Sequence, residues 1–122
     1  MNNVSRKFID RLVAVSPTLS SAFNETVEYW EPETPPVTIA FAELGQSVFE
    51  NFETLGPARI QEIMAMIEEG IASDDDELST AVATGFIEAV VGQASKVEGD
   101  LERVLPTFGR LSRSHAEAWI GS

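Results

Sequence analysis

The sequence offers few side chains that could perform acid–base or nucleophilic chemistry. His115 is the only histidine, and the chain contains no cysteine. A Ser–His–Asp triad would need a serine held beside His115, but no Gly-x-Ser-x-Gly turn presents one. His115 is predicted on a C-terminal helix near Arg110 and Arg113, where a structural role is favoured over a catalytic one. We therefore predict that the protein is not an enzyme.

The acidic run Asp74-Asp-Asp-Glu77 is the densest group of potential metal ligands. An EF-hand loop that began at Asp74 would need glycine and glutamate where Ser79 and Gly85 stand. A di-iron site needs two Glu-x-x-His pairs, which a single histidine cannot supply. The two glycine-rich loops that bind phosphate groups, Gly-x-x-x-x-Gly-Lys and Gly-x-Gly-x-x-Gly, do not occur. The sequence thus predicts no metal and no cofactor. The run is expected to cap a helix, and the alternative is contact with a partner.

Charge is distributed unevenly along the chain. Residues 25–95 hold fifteen acidic side chains and one basic side chain, Arg59, whereas the whole chain has a net charge of −12. A negative field of this kind repels phosphate backbones and attracts basic proteins. We therefore expect a basic protein partner and no direct contact with nucleic acid. The alternative is that the charge only maintains solubility.

The candidate partner-binding residues are carboxylates predicted on the outer faces of successive helices, together with one tryptophan. If neighbouring helices are antiparallel, these carboxylates share one broad acidic surface. The tryptophan is expected to be packed, with an interface anchor as the alternative. The set is Glu43, Glu50 and Glu53 on a third helix, Glu62, Glu68 and Glu69 on a fourth, Asp74, Asp75, Asp76 and Glu77 in the following turn, and Trp30.

The periodicity of apolar residues predicts an all-α chain, a compact bundle of five to seven helices in a single domain, residues 1–122. The first helix spans residues 4–15 and is closed by Pro17. A second runs from Thr18 to about Tyr29, and the proline-rich residues 31–36 form an extended connector. A third helix spans residues 37–55, and Gly56-Pro57 separates it from a fourth.

A fifth helix, residues 75–95, is apolar around most of its circumference, which is typical of a buried central helix. Phe86 is predicted to point inward. Glu88 is predicted to lie on a narrow exposed stripe, where Glu88→Ala would hardly change the stability. Gly85 and Gly92 are expected to let neighbouring backbones approach closely. A short helix then stops at Pro106. A last helix follows, and it contains Leu111, His115, Ala118 and Trp119.

Residues 59–91 resemble a HEAT-type antiparallel hairpin, in which two amphipathic helices meet through an acidic turn. Residues 105–119 extend the likeness, and together the segments resemble a family of small acidic helical bacterial proteins regarded as immunity proteins. The resemblance implies a protein that binds and neutralises a cognate toxin domain, for instance of the nuclease type, by blocking its basic active-site region. The alternative is a regulatory or adaptor domain that binds another cytosolic protein.

The expected location is the cytoplasm, and no membrane partner is expected. The N-terminal residues contain no apolar run long enough for a signal peptide, and no run approaches the length of a membrane span. The oligomeric state is left open by these patterns.

Overall fold

Helices account for about 80% of the chain, and the computed structural model describes residues 1–121. No strand occurs within those residues. Residues 82–87 are π-helical and join α5 to α6, and residues 105–107 continue α7 as a 3-10 turn. The helices are α1 (Asn3–Val13), α2 (Pro17–Trp30), α3 (Val37–Glu50), α4 (Phe52–Ile71), α5 (Asp76–Ala81), α6 (Glu88–Ala94), α7 (Asp100–Val104) and α8 (Arg110–Ile120). The all-α prediction is confirmed.

Side-chain oxygens cap the helix starts that the sequence suggested. Asp75 accepts a hydrogen bond from the Leu78 amide at 3.0 Å at the start of α5. Ser16 does the same for Thr18 at 3.2 Å, with Pro17 in the first turn of α2. Such caps satisfy amides that have no partner within the helix. Pro17 was expected to close α1, but α1 already ends at Val13 and Pro17 opens α2.

The boundary between α3 and α4 lies earlier than predicted. α3 ends at Glu50 rather than at Leu55. The side-chain amide of Asn51 donates a hydrogen bond to the Ser47 carbonyl at 2.9 Å. One further turn precedes Gly56, whose φ of 82° and ψ of 162° are not helical. A positive φ of this size favours glycine. The predicted break at Gly56-Pro57 is therefore present, as a kink inside α4.

Residues 76–94 form one continuous helical rod, here called the central helix, which packs against α3, α4 and α8. Most of its apolar side chains are buried, and Phe86, Ile87, Val90 and Val91 are fully enclosed. The α4 end of the predicted hairpin meets the central helix, since Ser79 donates its hydroxyl to the Ile71 carbonyl at 3.0 Å. The predicted buried central helix is confirmed.

The central helix and α3 cross at very short range. A Cβ on Gly85 would lie 2.6 Å from the Thr38 carbonyl oxygen, and a Cβ on Gly45 would lie 2.6 Å from the Phe86 carbonyl oxygen. Glycine is therefore needed on both sides of this crossing, which coincides with the π-helical segment. Gly92 does not have this role, because its added Cβ would meet the Trp119 ring at an ordinary 3.5 Å. The expectation for Gly92 was wrong.

The C-terminal segment differs from its predicted pattern in two ways. The helical path does not stop at Pro106 but passes through it as the 3-10 turn. In α8 the buried residues are Ser112 and Ala116, whereas Ala118 is exposed and Trp119 is 39% exposed. The small buried side chains let α8 lie close to its neighbours, whereas Leu111 is half-buried and Trp119 and Ile120 are more than a third exposed. A packing face made of Ser and Ala has no apolar periodicity that could reveal it.

Candidate functional site

A groove of about 660 Å³ runs between α2 and α3. Its α2 wall is a stripe at helical spacing from Thr18 to Trp30, and its α3 wall runs from Ile39 to Glu50 and on to Asn51. Ala22, Thr26 and Ser47 are among its lining residues, and Thr26 and Ser47 are buried. Because these side chains are small, the two helices leave a channel where larger residues would fill the space.

Three carboxylates line the groove, from Glu25 on α2 and from Glu43 and Glu50 on α3. All three are exposed, and no lysine, arginine or histidine is among the lining residues. Within residues 1–121, none of the three takes part in an ion pair, and Glu50 accepts only a long 3.4 Å hydrogen bond from the Gln46 amide. The groove therefore concentrates negative charge that no neighbouring cation neutralises.

One end of the groove is aromatic and apolar. Tyr29 is 84% exposed and Ile39 is 37% exposed, although both are large side chains. The Tyr29 and Trp30 rings meet edge to face, with centroids 6.2 Å apart and planes at 71°. The short connector 31–36 joins Trp30 to the start of α3, so these residues gather at one end. Exposed aromatic residues beside a channel are typical of binding surfaces.

Glu68, one of the predicted partner-binding residues, instead holds the start of α8. Its carboxylate accepts hydrogen bonds from the Leu111 amide at 2.8 Å, and from the Ser112 amide and hydroxyl at 3.0 and 2.8 Å. Partial burial alone would raise the pKa of Glu68, but these bonds and the nearby Arg110 charge lower it below the usual 4.5. Glu68 thus supplies the capping acceptor that Gly109, at the N-terminus of α8, lacks.

Asp75 and Glu77 hold the N-terminal residues. Glu77 accepts hydrogen bonds from the Asn2 amide at 2.8 Å and from the Ser5 hydroxyl at 2.7 Å, and these bonds lower the pKa of Glu77. The side-chain amide of Asn2 donates to both Asp75 oxygens at 3.2 and 3.3 Å. Part of the predicted acidic run therefore joins α1 to the start of α5.

The remaining predicted carboxylates lie in separate places. Glu53 contacts Arg103, Glu62 lies 3.9 Å from Arg59, and Glu69 lies 3.3 Å from Arg11. Asp74 and Asp76 are exposed, and no ion pair involves them within the described part of the chain. The carboxylates expected on one broad surface thus differ in their contacts, because Glu53 and Glu69 pair with other helices and Glu62 pairs within α4. Partner binding by these residues stays a prediction.

The groove brings together three of the predicted residues, Trp30, Glu43 and Glu50. Sequence reasoning missed Glu25 and Tyr29, which share the groove with them. Both lie on the α2 face that the buried Leu19 and Phe23 leave free. The signal in the sequence was their helical spacing, since residues 18, 22, 25 and 29 follow one another along one side of a helix.

His115 has a carboxylate partner, and this corrects the expectation for Glu88. The His115 Nε2 atom lies 2.9 Å from Glu88 Oε2, with the side chains 31% and 24% exposed. Glu88 is therefore not free on an exposed stripe, but links α6 to α8. Within residues 1–121, no group of His, Asp and Glu side chains has a metal-binding arrangement. No helix in this range has the length and hydropathy needed to cross a bilayer.

The chain matches no protein-family model, no curated protein and no solved structure. The shape, the charge and the exposed aromatic end of the groove are therefore the features from which a function is inferred.

Proposed function

We propose that this protein binds another protein through the α2–α3 groove, and that the partner presents basic side chains there. The observation that supports this most directly is the combination of three carboxylates without a cation and an exposed aromatic end. Carboxylates of this kind select positively charged partners and accelerate their association. Tyrosine and tryptophan contribute contact area with little loss of side-chain freedom, and so act as binding anchors.

The partner we propose is a toxin domain that this chain neutralises in the cytoplasm as an immunity protein. A nuclease-type toxin binds phosphates through lysine and arginine side chains, so its active-site region has the charge that the groove lacks. The likeness of residues 59–91 and 105–119 to small acidic immunity-type proteins supports the same choice. Binding is proposed without catalysis, and the pair of His115 with Glu88 is taken as a contact between α6 and α8. The alternative is a regulatory or adaptor role toward another cytosolic protein.

The test begins with a toxin domain encoded next to this chain in its genome, purified together with the 122-residue protein. Association rates are measured at several salt concentrations for the wild type and for Glu43→Lys/Glu50→Lys. We expect the groove reversal to slow association by about tenfold or more at low salt and to flatten the salt dependence. Toxin activity should be restored in parallel.

Glu98→Lys/Glu102→Lys is the matched control, because both residues are exposed outside the groove and the change in net charge is the same. Its association rate should stay within about twofold of the wild type. If the two reversals slow association equally, the groove has no specific role and only net charge matters. If the groove reversal binds as fast and as tightly as the wild type, the proposed function is wrong.

A further inference from the structure

We infer that the groove receives an α-helical segment of the partner, with one apolar residue followed by basic residues four and eleven positions later. This inference rests on the proposed function and names the element that is recognised. It starts from the order of residues along α3. Ile39, Glu43 and Glu50 all line the groove, at successive offsets of 4 and 7 residues.

Distances along α3 set the spacing of the complementary residues. A helix rises about 1.5 Å per residue, so Glu43 and Glu50 are separated by about 10.5 Å along the axis, and Ile39 and Glu43 by about 6 Å. A second helix that lies along the groove parallel to α3, which is the direction inferred for the partner segment, advances at the same rate. Residues at offsets 0, 4 and 11 of such a helix fall within about 40° of one another around its axis. One face of the partner helix would therefore meet all three residues.

The shape of the groove suits a helix of about twelve residues. Its lining spans residues 18–30 on α2 and residues 39–51 on α3, which corresponds to about 18 Å on each wall. Helices pack with their axes about 8–10 Å apart when side-chain ridges enter the grooves of a neighbour. Ala22, Thr26 and Ser47 on the walls are small, so their side chains would not prevent a third helix from approaching to this distance.

Charge and exposure decide what the partner helix presents. Glu43 and Glu50 offer carboxylates to the two basic residues, and Glu25 faces the same channel from α2. At the other end, Ile39, the 84% exposed Tyr29 and Trp30 offer apolar contact. An apolar residue at the first position of the partner helix would be buried there, while its basic residues remain near water and the carboxylates.

An extended segment suits this groove less well. Strand-like peptides bind by pairing their backbone with the free edge of a sheet. Both walls here are helices whose backbone groups bond within the helix, so they have no ladder to extend. A helical occupant satisfies its own backbone and needs only side-chain contacts from the walls.

The experiment uses the full 122-residue chain and two synthetic peptides of identical composition. The matched peptide places leucine at the first position and arginine at offsets 4 and 11. The control peptide places the arginines at offsets 6 and 9, which puts them on the opposite face of the helix. Affinities are measured by isothermal titration, and circular dichroism reports the helix content of each peptide on binding.

We expect the matched peptide to bind at least about ten times more tightly than the control and to become helical when bound. Glu43→Lys/Glu50→Lys should abolish this preference, whereas Glu98→Lys/Glu102→Lys should preserve it. Equal affinities for the two peptides, or a bound peptide that stays non-helical, would overturn the inference. If Glu43→Lys/Glu50→Lys still impairs binding of the whole partner in that case, the proposed function stands and only the helical occupant is wrong.

Discussion

The carboxylates of the α2–α3 groove and the capping carboxylates differ in what they contact, although both sets belong to the same acidic stretch of the chain. The groove carboxylates are Glu25, Glu43 and Glu50, and within residues 1–121 the one hydrogen bond that these carboxylates accept is a long one, from Gln46 to Glu50. The capping carboxylates are Glu68, Asp75 and Glu77. Glu68 and Glu77 accept bonds of 2.7–3.0 Å from amides and hydroxyls of other segments. Asp75 accepts a bond from the nearby Leu78 amide and longer ones from the Asn2 side chain.

This difference separates charge that stabilises the fold from charge that is available to a partner. A carboxylate that already accepts amide hydrogen bonds would lose them if a partner's cation drew it away. A carboxylate surrounded by water loses much less when an ammonium or guanidinium group arrives. The groove carboxylates are therefore the ones that a basic partner would meet at low cost, and the capping carboxylates are structural.

Phe86→Ala should produce the largest effect, and it sets the scale against which both sets of carboxylates are measured. Phe86 is fully buried in the central helix. Its truncation should lower the free energy of unfolding by about 3–5 kcal/mol through the cavity it leaves. Urea denaturation measures this loss. A cost below about 1 kcal/mol would show that the central helix is not the core of the fold.

Glu68→Ala should have the next largest effect. The substitution leaves the Leu111 and Ser112 amides and the Ser112 hydroxyl without their acceptor, and the expected loss of stability is about 2–3 kcal/mol. Glu69→Ala is the matched control, because the adjacent Glu69 is 61% exposed and, among residues 1–121, forms an ion pair with Arg11 alone. It should change stability by less than about 0.5 kcal/mol. Similar urea midpoints for both variants would remove the distinction between capping and exposed carboxylates.

Acid should destabilise the protein through the same capping carboxylates. The pKa values of Glu68 and Glu77 are lower in the folded state than the usual 4.5, so the unfolded state binds more protons in this range. Their contribution to stability is thus fully present above about pH 4.5 and is lost as the pH falls through the folded-state values. Thermal melts between pH 3 and 6 should show the melting temperature falling as the pH falls, and Glu68→Gln should make this fall smaller. An unchanged pH dependence in the variant would show that Glu68 does not contribute to it.

Glu88→Ala should have a small but measurable effect, contrary to the nearly silent change expected from the sequence. The carboxylate lies 2.9 Å from His115 in a partly buried pair. Its removal should cost no more than about 1 kcal/mol. If the pair accounts for the loss, Glu88→Ala should cost nothing further in a His115→Ala background, as a double-mutant cycle would measure. Additive losses would show that each side chain acts through other contacts.

Glu43→Lys/Glu50→Lys should have the smallest effect on stability, within about 0.5 kcal/mol of the wild type. Neither carboxylate takes part in an ion pair within residues 1–121, so the reversal breaks no such contact. Urea denaturation in the absence of a partner is the measurement. A loss as large as that of Glu68→Ala would mean that the groove carboxylates also stabilise the fold.

The sequence by itself determined the features that depend on residues within about four positions of one another. The helix cap within the acidic run 74–77 and the backbone break at Gly56 are local, because capping and backbone conformation depend on neighbouring residues. The buried central helix was equally visible, since residues 76–94 are apolar around most of the circumference. These predictions needed no knowledge of which helices are neighbours.

Only the tertiary structure decided which carboxylates are available. Glu68 caps a helix that begins more than forty residues later in the chain, whereas Glu43 lies on the outer side of a helix that looks equally acidic in the sequence. Likewise Gly45 and Gly85 meet other backbones, and Gly92 does not. The physical reason is that a side chain's partner is set by how helices pack, and that packing depends on contacts between residues far apart in sequence.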